Sequence, residues 1–305
     1  MLKMNKWVLG LAGTALVFGC CFFYLRQWES NAEITHFLKR VDAKVNLPWM
    51  VGKPTSVMTV TDCKRDVNNP DFWIAHGGGL GDFLYTNSRE AVLDSLQRGY
   101  KYIELDILVT SDGHLVGGHD WPLVRDLVGL ADGQDCPLSR AELLACRSSW
   151  KYTLLFAEDI CRLLEENPQM ILVTDKVQDF DLLVREIPYV DRMVVEAFDS
   201  LNYLAALRAG VKNVALTVYS AQNLMQAQKY KLHGLVMHAH DLEENPDIVE
   251  LATQLHKEGC CIMVHGAPTC DDVAFARKYL GRCVSRIYTN TWSPQDPPPG
   301  LLLSE

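Results

Sequence analysis

A repeating rhythm constrains this chain more than any other feature. Short apolar or β-branched runs recur at 72–76 (FWIAH), 102–106 (YIELD), 170–174 (MILVT), 193–198 (MVVEAF), 213–219 (NVALTVY), 234–239 (GLVMHA), 261–265 (CIMVH) and 285–290 (SRIYTN). Between several of them lie stretches with helical spacing of apolar residues, at 89–97, 156–166, 200–208, 221–229 and 248–258. Such alternation makes successive strands parallel, because each helix returns the chain to the end where the last strand began. Eight units of this kind match a closed (β/α)8 barrel of the TIM type, whereas a doubly wound open sheet has about five to seven strands. With 305 residues, 48% of them hydrophobic, the chain can fill one such core.

One interval breaks the rhythm. Residues 107–118 contain two extended runs, LVT and HLV, joined through Asp112-Gly113, a pair that favours the turn of a hairpin. A hairpin inserted after the second strand carries the chain out and back, so His119 should lie near Glu104 and Asp106.

The N-terminus has a different composition. Residues 7–25 (WVLGLAGTALVFGCCFFYL) form an uncharged run of 19 residues, enough to span roughly 30 Å of hydrocarbon as a helix. Lys3 and Lys6 precede it and Arg26, Glu29 and Glu33 follow, which places the N-terminus in the cytoplasm and the body outside. Alternatives are a cleaved secretory signal or a lipoprotein signal ending at Cys20, but the apolar stretch runs past any such cleavage point. The expected organisation is an anchor at 1–30, a juxtamembrane connector at 31–70, the barrel at 71–293 and a frayed tail at 294–305. The net charge of −9 excludes nucleic acid as a partner. Ten cysteines show no metal-type C-x-x-C pair, and Cys260 and Cys261 read as buried strand residues.

Catalytic side chains of a barrel sit at the C-terminal ends of its strands. The first strand ends in His76-Gly77-Gly78-Gly79, the second carries Glu104 and Asp106, the hairpin ends in His119-Asp120, and the third barrel strand ends in Asp175-Lys176. Residues two apart on a strand face the same side, so Glu104 and Asp106 can hold one hard cation, with Asp175 as a third ligand. Like charges this close favour a cation, and oxygen-only ligands suit Ca²⁺ or Mg²⁺. His76 and His119 are candidates for general acid and base, since imidazole titrates near neutrality. Gly77 and Gly78 let the backbone approach an anion closely.

The stretch 74–120 (IAHGGG…YTNSREAVLDSLQRGYKYIELDILVTSDGHLVGGHD) resembles the signature of the glycerophosphodiester phosphodiesterase family. The matching features are a strand-end histidine, an Asn-Ser helix start, E-x-D, T-x-DG and a second His-Asp. YTLLFAEDI (152–160), EAFD (196–199) and IYTNTW (287–292) resemble further segments of it, so the likeness covers most of 71–292. It implies a phosphoric diester hydrolase acting on a glycerophosphodiester or related phospholipid-derived diester. One divalent cation would be held by Glu104, Asp106 and Asp175, with His76 and His119 as the acid–base pair. Phospholipases that release a cyclic phosphate resemble the same architecture, and a barrel that only binds a phosphorylated ligand is a further alternative. The chain departs from the family pattern at Gly77, where an arginine usually reaches the phosphate, at Thr86 in place of a glutamate, and at Asp175-Lys176, which lacks the E-x-K spacer. Lys176 is the candidate to replace the missing arginine.

Overall fold

The computed structural model describes residues 55–60, 68–130 and 133–301. Eight parallel strands close a barrel: β1 (Trp73–Ala75), β2 (Tyr102–Val109), β4 (Ile171–Asp175), β5 (Met193–Ala197), β6 (Val214–Thr217), β7 (Gly234–His238), β8 (Cys261–His265) and β9 (Arg286–Thr289). Closure comes from β1, which pairs in parallel with both β2 and β9. The expected hairpin is present: β3 (Leu115–Gly117) runs antiparallel to the far end of β2, with Ile107 opposite Gly117 and Val109 opposite Leu115. Helices α1 (Arg89–Gln97), α2 (Trp121–Leu127), α3 (Arg140–Ala145), α4 (Ala157–Glu166), α5 (Phe180–Glu186), α6 (Ser200–Arg208), α7 (Ala221–Tyr230), α8 (Ala239–Glu244), α9 (Pro246–Lys257) and α10 (Val273–Tyr279) complete the described part.

Strand alternation sorts each side chain into one of two cores. Ile103, Leu105, Leu172, Val195, Leu235, Ile262 and Ile287 point outward into the layer between sheet and helices. Their neighbours Ile74, Tyr102, Ile171, Val173, Val194, Ala215, Val236, Cys261, Met263 and Tyr288 fill the barrel interior. Cys260 and Cys261 are both buried, as expected. The described cysteines, Cys136, Cys146, Cys161, Cys260, Cys261, Cys270 and Cys283, are free thiols. Arg286 is buried on the floor of the interior, where Nη2 donates to the Tyr102 hydroxyl at 2.8 Å and the guanidinium lies 4.2 Å from the Tyr102 ring centre.

The packed domain extends further than expected at both ends. Val57 and Met58, inside the expected connector, belong to the interior cluster, and the Tyr102 hydroxyl donates to the Val57 carbonyl at 3.3 Å. They close the floor of the barrel. The expected frayed tail is also packed: Gln295 Nε2 donates to the Gln97 carbonyl at 2.8 Å, Arg277 Nη2 donates to the Gly300 carbonyl at 3.1 Å, and Leu301 is buried. A proline-rich end such as SPQDPPPG has little periodic signal of its own, but these contacts to α1 and α10 hold the segment in place. The run at 7–25 lies outside the described residues, and among those described no helix is long and apolar enough to cross a membrane.

Met58 is 2% exposed, and a methyl group added at Gly234 would fall on its Cε. Met58→Ala should therefore destabilise the domain by about 2–5 kcal/mol. A denaturant midpoint unchanged from wild type would show that the floor segment adds nothing to stability.

Candidate active site

At the upper end of the barrel the interior changes from apolar to acidic. The β2–β4 register pairs Glu104 with Val173 and Asp106 with Asp175, which brings the three carboxylates to one level. One oxygen from each of Glu104, Asp106 and Asp175 lies within 4.8 Å of the others. Burial, with Asp106 next and Asp175 after it, holds the Glu104 carboxyl well above the usual carboxylate range. Asp175 is pushed up to about 9, first by burial and then by Asp106 and Glu196. Asp175 Oδ1 is buried without a hydrogen-bond donor. An acceptor-rich pocket with a buried oxygen lacking a donor fits a hard divalent cation, for which Glu104, Asp106 and Asp175 would be the ligands.

The surrounding groups fix these carboxylates. The Gly77 N–H donates to Glu104 Oε2 at 2.6 Å. Asn87 grips Asp106 twice: its Nδ2 donates to Asp106 Oδ2, and its Oδ1 accepts from the Asp106 backbone N–H, both at 2.9 Å. Its own N–H donates to the Gly77 carbonyl at 3.1 Å, tying the glycine loop to the start of α1. Lys176 Nζ lies 3.8 Å from Asp106 Oδ1. Gly78 is buried, with its carbonyl accepting from the Ser95 hydroxyl at 2.8 Å. The glycine loop thus joins the carboxylates to α1.

His76 and His119 stand over this floor. Asn290 Oδ1 accepts from His76 Nδ1 at 3.1 Å, and Asp120 Oδ2 accepts from His119 Nδ1 at 2.8 Å. With each Nδ1 engaged in this way, Nε2 is the nitrogen left to meet a ligand. Burial lowers the His76 pKa, partly offset by Asp106 and Asn290, which favours neutral imidazole. Tyr85 lies edge-on to both rings, 4.8 Å from the centre of His76 and 5.5 Å from that of His119. Seven of the eight residues singled out in the sequence, His76, Gly77, Glu104, Asp106, His119, Asp175 and Lys176, lie around this mouth, whereas Gly78 packs toward α1 against Ala91 and Ser95. Tyr85, Asn290 and Glu196 join the site without a sequence signal for that role, and Asn87, expected only as a helix start, holds Asp106. Glu196, on β5 within the same mouth, is raised to about 7 chiefly by burial and accepts a hydrogen bond from the Thr217 hydroxyl at 2.6 Å.

A parallel barrel with its polar residues gathered at the C-terminal mouth, two oriented imidazoles facing a carboxylate cluster, has the layout of a barrel hydrolase. The sequence model of the Glycerophosphoryl diester phosphodiesterase family matches residues 76–284. The chain belongs to that family, whose members are phosphoric diester hydrolases. The fold is similar to that of glycerophosphodiester phosphodiesterases from Thermotoga maritima (19% identity, TM-score 0.56, 72% of this chain and 94% of that one) and Agrobacterium tumefaciens (18%, 0.56, 73% and 97%). A phosphodiesterase from Oleispira antarctica, solved with the product sn-glycerol-3-phosphate, is 18% identical with a TM-score of 0.55 over 74% of this chain and 93% of that one. No curated protein matches the chain significantly.

Proton binding at the acidic cluster should be visible in stability. Asp175 and Glu104 hold protons more tightly folded than unfolded, so the metal-free protein gains stability at low pH. That gain is lost as pH rises from the unfolded carboxylate value of about 4 through the folded Asp175 value of about 9. A cation competes with those protons, so Ca²⁺ or Mg²⁺ should raise Tm most at the alkaline end. Melting curves in chelator and in metal across this range test it, and a metal effect that does not grow with pH would refute the ligand set.

Proposed function

We propose that this chain hydrolyses a glycerophosphodiester with the help of one divalent cation held by Glu104, Asp106 and Asp175. The observation that carries the reading is the meeting of His76 and His119, 43 positions apart, above that carboxylate cluster, each with Nδ1 engaged by a fixed partner. The likeness to a phosphodiesterase solved with sn-glycerol-3-phosphate supports a small diester of this kind. The oxygen-only ligand set favours Ca²⁺ or Mg²⁺ over softer metals. When bound, such a cation supplies charge stabilisation for the phosphoryl oxygens.

The chain's own residues carry the proton movements. One imidazole takes the proton of the attacking oxygen, from water or a neighbouring hydroxyl, and the other delivers a proton to the departing alkoxide. Asn290 and Asp120 hold the two rings in place for these transfers. Lys176, whose ammonium lies 3.8 Å from Asp106 Oδ1, is the cation assigned in this reading to a phosphoryl oxygen.

His76→Ala and His119→Ala should each slow turnover of a natural diester by at least about a hundredfold, with the double variant far short of the product of the two losses. With a p-nitrophenyl ester, whose leaving group needs no proton, the variant lacking the acid should recover much of its rate and the one lacking the base should not. That contrast assigns the two roles. Near wild-type rates in both variants on a natural ester would overturn the mechanism.

Residues 7–25 serve in this reading as an uncleaved single-pass anchor, with the barrel on the extracytoplasmic side. Its support is the uncharged run of 19 residues flanked by Lys3 and Lys6. Full-length protein should stay with membranes through high-salt washing, and protease added from outside should reach the barrel. Recovery of a soluble mature form starting after residue 20 would refute it.

A further inference from the structure

The sequence departs from the His-Arg-Gly pattern at Gly77, and the structure shows what occupies the space above that glycine. A Cβ built on Gly77 would lie 2.7 Å from Tyr85 Cα and 2.8 Å from Tyr85 Cδ1, so no side chain at 77 could coexist with Tyr85 where it stands. Tyr85 itself is held in the left-handed region at φ 58°, a conformation that disfavours side chains of this size. The turn between the glycine loop and α1 therefore places this ring, at a backbone cost, over the barrel mouth.

Its position there is specific. The ring is edge-on to His76 at 74° and to His119 at 66°, so one phenol packs against both imidazoles. Its hydroxyl lies 3.4 Å from His76 Nδ1, an atom already engaged at shorter range by Asn290. Asn290 also hydrogen-bonds the phenol and lowers its pKa, as a donor to the phenol oxygen does, so the phenolic hydrogen itself is left to donate. Burial raises the Tyr85 pKa above the ordinary phenol value, so it keeps its hydrogen at neutral pH. A neutral O–H donor beside a developing negative charge needs no reorganisation to stabilise it.

We infer that Tyr85 is a further catalytic residue, whose hydroxyl donates a hydrogen bond to a non-bridging oxygen of the phosphodiester bound between His76 and His119. Gly77 is its counterpart, left without a side chain so that the ring can lie there. The inference rests on the phosphodiesterase reading of the same mouth. It assigns the donor role at the phosphate to a phenol, where a guanidinium at position 77 would have supplied fixed charge.

The test is Tyr85→Phe, which keeps the packing against both histidines and removes only the donor. With a natural glycerophosphodiester and saturating Ca²⁺ or Mg²⁺, kcat should fall about ten- to a hundredfold, as for loss of one donor to a charged group. Affinity for sn-glycerol 3-phosphate should fall about tenfold, while metal affinity and the pH profile of kcat/KM keep their wild-type form. A lowered rate with a displaced pH profile and unchanged sn-glycerol 3-phosphate affinity would mean that Tyr85 acts through His76, and would overturn direct contact. Wild-type kcat in Tyr85→Phe, with His76→Ala inactive, would overturn this inference and leave the proposed function standing. Wild-type rates in both variants would remove the reading on which it rests.

Discussion

Mutual repulsion among Glu104, Asp106 and Asp175 is the constraint around which the upper barrel is organised. The strand register forces these side chains to one level, and the closed interior denies them the water that would screen them. The surrounding structure is arranged in response. A backbone N–H from Gly77, both ends of the Asn87 amide and the Lys176 ammonium are all directed at the cluster. Three of the four described non-glycine residues with positive φ, Tyr85, Asn87 and Lys176, lie at this mouth. Strained backbone of this sort persists only where its surroundings over-determine it, at a cost of roughly 1–3 kcal/mol each. That cost falls where the chemistry is, while the floor beneath is apolar and closed by Met58.

Strand parity made much of this legible. Tyr102, Glu104 and Asp106 alternate with Ile103, Leu105 and Ile107, and the E-x-D spacing alone placed two carboxylates inside the barrel together. The Asp112-Gly113 turn gave the hairpin, and with it the return of His119 to the mouth. Contacts made across long sequence separations were not legible. Asn290 reaches His76 from 214 positions away, and only barrel closure through β1 and β9 brings them together. Tyr85 reads as an ordinary turn residue until its backbone conformation is known. EAFD resembles the family only as a strand-end segment, which attaches no role to Glu196. Val57, Met58 and Leu301 were misplaced for a related reason: proline-rich or weakly patterned segments give no periodic signal, yet they pack because the barrel ends leave apolar surface for them to cover.

Asp120 joins two roles that are usually separate. One carboxylate oxygen caps α2 by accepting the Leu123 N–H at 2.8 Å, while the other accepts from His119 Nδ1. The order of a short, half-buried helix and the aim of an imidazole therefore share a single residue. Loosening of the first turn of α2, by heat or by a partner pulling on it, would be transmitted to the ring without any change at the barrel strands. The helix cap thus acts as a brace on one side of His119, with the Tyr85 ring packed against the imidazole as well.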